Sequence, residues 1–167
     1  MADDLMDLIT SLAQHRLSLM GGEGASFIKR AINEVDPTAL AKTIRAQLET
    51  GPSGEQREDT PAYQALSGIV SYFTGMLAFS PKKQPWVDPP ALILALREAC
   101  LADLLADPYF TDDKWGQPAL CLHLAPLAAA RQDDLFTKVK ALLEKFRDSS
   151  GPVGQDASHA LTSLHFE

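Results

Sequence analysis

Apolar residues recur along this chain at the three- and four-residue spacing of helices. Leu5, Leu8, Ile9, Leu12 and Leu19 share one face of a first helix over about Asp4 to Met20. Asp3, Asp4 and Asp7 suit its positive end, and Gly21-Gly22 stops it. Phe27, Ile28, Ala31, Ile32 and Val35 mark a second helix after Ser26. Asp36-Pro37 ends that one and caps a third, whose stripe is Leu40, Ile44 and Leu48. Thr60-Pro61 repeats the cap before a fourth helix with Leu66, Ile69, Val70, Phe73, Met76 and Leu77. Within it Ser67, Ser71 and Gly75 recur every four residues, a small-residue groove for a close helix crossing or one wall of an apolar ligand cavity.

The densest apolar stretch is Pro89 to Leu105, charged only at Arg97, Glu98 and Asp103. A helix apolar nearly all round belongs inside a fold. Pro118 opens the next helical stretch, which Pro126 is expected to kink or break. Asp133 or Asp134 begins the last strong helix, with Leu135, Val139, Leu142, Leu143 and Phe146 inward. Lys138, Lys140, Lys145 and Arg147 line its other face. PALILAL (90–96) and PALCLHL (118–124) also match at five of seven positions, an echo that a helical-repeat protein would show.

The pattern predicts an all-α fold: an irregular bundle of six to seven helices around a buried central helix, Pro90 to Leu105. A short helical-repeat stack is the second arrangement. Residues 1–167 read as a single domain, with 50–59 (TGPSGEQRED) a flexible loop and 148–167 a loosely docked C-terminal tail.

A hydrophobic fraction of 46% and a charged fraction of 22% are ordinary for a folded domain. The N-terminus opens on acids rather than a basic leader, and no apolar run approaches the roughly 20 residues of a membrane span. The expectation is a soluble cytoplasmic protein. A net charge of −7 argues against nucleic-acid binding, which depends on neutralising phosphates, and suits a basic protein partner. Cys100 and Cys121 lie in apolar patterns and read as buried free thiols.

Motifs for chemistry are missing. Ser67 lacks the leading glycine of a nucleophile elbow, and GGEG at 21–24 is not followed by the lysine of a phosphate loop. His15, His123, His159 and His165 are scattered without ligand spacing. Asp107, Asp112 and Asp113 lack the ladder of a calcium loop, so neither metal nor cofactor is expected.

Two loops rich in aromatics flank the central helix, one with Trp86 and one with Tyr109, Phe110, Asp112, Asp113 and Trp115. Rings in such loops either anchor a partner or fold back to close the core. Taken as anchors, they make the chain a non-enzymatic protein–protein interaction module: an adaptor, a cognate inhibitor or immunity protein, or a chaperone-like binding protein. Two other classes compete. One is a helical protein binding an apolar small molecule. The other is an enzyme whose site assembles from remote residues, such as the aspartates with a histidine.

Overall fold

The computed structural model describes residues 2–77, 84–112, 114–149 and 151–166. Among them, nine α-helices and one 3₁₀ turn (Gly54–Asp59, between α3 and α4) follow one another and no strand occurs: α1 (Ala2–Gln14), α2 (Ala25–Asn33), α3 (Pro37–Thr50), α4 (Pro61–Leu77), α5 (residues 91–105), α6 (Pro108–Thr111), α7 (residues 117–129), α8 (Asp134–Arg147) and α9 (Pro152–Ser163). Buried side chains from Leu8 to Phe166 join in one hydrophobic cluster. Among the described residues no helix is long and apolar enough to cross a membrane.

The caps follow their local chemistry. The Asp36 carboxylate accepts the Ala39 N–H at 3.2 Å, with Pro37 at the first helical position. The Asp133 carboxylate accepts the N–H groups of Leu135 and Phe136 at 3.1 and 3.2 Å.

Of the small residues expected to form the α4 groove, Gly75 takes a close approach, and Gly68, outside that stripe, takes another. The chain leaves the helical path after Gln14 and lays residues 16–20 across α4. A Cβ at Gly75 would stand 2.8 Å from the Met20 sulfur, and one at Gly68 would stand 2.9 Å from Arg16 Cβ. The Ser67 hydroxyl donates to its own helix at Gln64, and Ser71 is exposed. The space at Gly75 is filled by the protein itself.

Helix α5 buries Leu92, Leu96, Cys100, Leu101 and Leu104 but keeps Ala91, Glu98 and Ala102 in water. Both α5 and α7 widen by a π turn, at Arg97–Leu101 and at Leu120–Leu124. The second delivers the chain to Pro126, which has no N–H to offer the preceding turn, and α7 runs on to Ala129 unbroken. The sequence echo is not structural: residues 91–96 are α-helix, whereas 120–124 form the π turn. Cys100 and Cys121 are buried thiols, and burial pushes both up to about 12.

Arg97 turns the start of the first π turn into a junction. It is 2% exposed, and its guanidinium donates to the carbonyls of Leu127 and Arg131, both at 3.1 Å. It also grips Asp133 through Nη1 at 2.8 Å. One side chain thus binds carbonyls at and just beyond the end of α7 and anchors the cap of α8. The hydrogen bond from Arg97 is the largest cause holding the Asp133 carboxyl down at about 2.

Within the segment expected as a C-terminal tail, α9 forms a twelve-residue helix. Gly154, Ala157, Ala160 and Leu161 are buried where α9 packs along α8, and Phe166 stacks on Phe136 at 4.5 Å. Apart from Leu161 its buried positions are glycine and alanine, so no stripe of large apolar side chains announces it. Residues 54–59, expected as part of a flexible loop, form a turn of 3₁₀ helix with Arg57 buried in it.

Candidate functional site

Two segments remote in sequence, the 3₁₀ turn and the 107–115 loop, close on each other through Asp107. This residue caps α6 by accepting the Tyr109 N–H at 3.0 Å. Its other oxygen accepts the Gly54 N–H at 3.0 Å and faces Arg57 Nη1 at 3.3 Å. The Arg57 and Asp107 side chains are each 10% exposed, so the pair is a buried clasp. Gly54 stands at φ +71, in the left-handed region that favours glycine.

Gly116 makes the second close approach. A Cβ there would fall 1.8 Å from the Tyr109 carbonyl oxygen, so only glycine lets the chain fold back over α6. That turn leaves Trp115 on the rim of a cleft of about 510 Å³, together with Ser53, Glu55, Tyr109 and Asp112. Trp115 is 71% exposed, and the Lys114 ammonium lies over its ring, 5.1 Å from the centroid. Glu55 and Asp112 are exposed carboxylates on the same cleft. The Tyr109 hydroxyl donates to Glu58, which ties the ring to the 3₁₀ turn.

Beneath the cleft the packing is aromatic. Phe110 stacks on Tyr63 with ring centroids 5.7 Å apart, and Tyr63 Oη lies 3.1 Å from His123 Nδ1. Burial raises the Tyr63 hydroxyl above its ordinary value and lowers His123 to about 4. Tyr63 and a neutral imidazole therefore share one hydrogen bond, whose direction is set by the imidazole tautomer.

The structure brings Tyr109, Asp112 and Trp115 together on the cleft. Phe110 needs correction as a partner-facing residue: it is fully buried and belongs to the floor. Asp113 lies outside the described residues. Trp86 is elsewhere, half-buried against the core, with Phe136 edge-on at 5.8 Å and His165 at 6.3 Å. Glu55, Arg57 and Glu58 do not stand out as a site in the sequence, because TGPSGEQRED reads as a solvated loop. The arginine within that acidic run was the available signal, since a lone cation there can meet a carboxylate from another segment.

Asp107 is committed to Arg57 and two backbone N–H groups, so it is not a free member of an aspartate cluster. Among the described residues no three His, Cys, Asp or Glu side chains stand close enough to hold a metal ion. An exposed indole face with carboxylates around it recognises a cation: the ring attracts through its quadrupole and the carboxylates through charge.

Compared with known protein families, curated proteins and solved structures, the chain matches none.

Proposed function

We propose that this protein is a non-enzymatic protein-interaction module that takes a basic segment of its partner at the Trp115 cleft. The observation that carries the proposal is Trp115 itself. Its ring is left mostly in water, on a cleft that also presents the exposed carboxylates of Glu55 and Asp112. Tryptophan is a frequent anchor at interfaces, and the net charge of −7 steers a basic partner toward the molecule. The cytoplasm is the proposed setting, which suits two free thiols. Adaptor, cognate inhibitor and chaperone-like roles all use such a surface.

The test is capture of partners from the native lysate by tagged wild type and by Trp115→Ala, compared by mass spectrometry. A stoichiometric partner held by wild type and lost from the variant is the expected result. A partner held equally by both would move the interface off this cleft.

A further inference from the structure

Trp115 already holds a cation. Lys114 comes from the neighbouring position and places its ammonium over the indole ring, although the exposed carboxylate of Asp112 is two residues away. The Gly116 turn fixes the segment against Tyr109, so the ring is presented at the cleft rim with its lysine in place.

We infer that the group recognised at this cleft is a lysine or arginine side chain of the partner, and that it takes the ring face that Lys114 occupies in its absence. Lys114 is then a built-in competitor that weakens loose cations and leaves the cleft to segments carrying several. The inference rests on the interaction-module reading and adds the chemistry of the ligand and a check on its affinity. The occupant follows from charge complementarity: Glu55 and Asp112 line the same cleft as a ring that already carries an ammonium over its face. Guanidinium suits the position better than ammonium, because it stacks flat on the indole while its N–H groups reach a carboxylate. An exposed cation–π contact is worth about a two- to five-fold change in affinity, which sets the size of the competition.

The test uses the full chain and two peptides, tetra-arginine and its neutral counterpart tetra-citrulline, by titration calorimetry at fixed ionic strength. Four proteins are compared: wild type, Lys114→Gln, Trp115→Leu and the double variant. Lys29→Gln, an exposed change of the same charge, controls for net charge. Lys114 and Trp115 are exposed, and thermal melting confirms that each variant keeps its fold.

Tetra-arginine should bind wild type and tetra-citrulline should not. Lys114→Gln should tighten tetra-arginine about two- to five-fold beyond Lys29→Gln, and the gain should vanish in the Trp115→Leu background. Binding that depends on Trp115 but ignores Lys114 would overturn the competitor and leave the interaction module standing. Failure of tetra-arginine to bind either wild type or Lys114→Gln would overturn the cationic ligand. The capture comparison then decides separately whether Trp115 serves a partner of other chemistry.

Discussion

The chain's two tryptophans sit in loops of similar make-up, each with proline and aspartate close by and lysine nearby, and they end in opposite environments. Trp86 meets Phe136 edge-on and has His165 beside it, and Phe166 stacks on Phe136 from the far end of the chain. Trp115 meets a lysine of its own loop and an acidic cleft. The difference lies in what the topology delivers to each loop. α8 and the chain end bring two rings to Trp86 and a third behind Phe136, whereas the 3₁₀ turn brings charged side chains and a glycine to the rim beside Trp115. A loop aromatic is thus interior or exterior according to its distant neighbours, which its own flanking residues do not disclose.

The largest expected effect comes from breaking the Trp86 side. Phe136→Ala removes the ring that both Trp86 and Phe166 pack on and should cost about 4 kcal/mol in denaturant unfolding. A loss near 1 kcal/mol would mean that the aromatic cluster is surface decoration and that the contrast is false. Arg57→Ala attacks the other side at its base. It leaves the Asp107 carboxylate buried without its cation and should cost about 3 kcal/mol. The Gly54 N–H should exchange with solvent much faster in that variant. Unchanged protection would show that the cleft does not depend on the clasp.

Helix existence was largely legible because it rests on local spacing and caps. Leu40, Ile44 and Leu48 are buried as written, as are Val139, Leu143 and Phe146, while Leu135 and Leu142 are only partly buried; Asp36 and Asp133 cap as their positions suggest. The features that failed to show depend on side chains meeting across the fold. Arg97 looked like an ordinary charge on a helix until the end of α7 supplied carbonyls for it. α9 was hidden because glycine and alanine form most of its buried face, with Leu161 the one large side chain among them. The cleft was half legible: Tyr109, Asp112 and Trp115 stood out by type, but their acidic counterpart lay some fifty residues away in a stretch without a hydrophobic pattern. That Phe110 points inward beside an outward Trp115 is set by the turn at Gly116, and spacing alone does not give it.

Acid separates the floor of the cleft from the α7–α8 junction. Burial lowers His123 from 6.5 to about 4, so the unfolded chain takes up a proton that the folded chain resists. Stability from this source is complete above pH 6.5 and falls by up to about 1.4 kcal/mol per unit as the pH drops toward 4. Asp133, lowered from 3.8 to about 2 chiefly by the Arg97 hydrogen bond, acts in the next window. Its contribution is present above 3.8 and is lost as the pH falls through 2. Unfolding free energies between pH 7 and 4 should lose their slope in His123→Gln. A slope that survives the substitution would assign the loss to another group and would leave His123 out of the floor's energetics.

The smallest effect on stability is the most discriminating. Trp115→Ala should change unfolding free energy by no more than about 0.5 kcal/mol, since a ring 71% exposed has little packing to lose. Trp86→Ala, at a half-buried position against Phe136, should cost about 2 kcal/mol. Measured together, the two values isolate location, because the side chain removed is the same. If Trp115→Ala proves as costly as Trp86→Ala, its ring supports the cleft, and the loss of a partner in that variant could come from collapse alone. If it is nearly free, any partner lost from Trp115→Ala was lost for want of the ring, and the exposed tryptophan is there to be covered by something else.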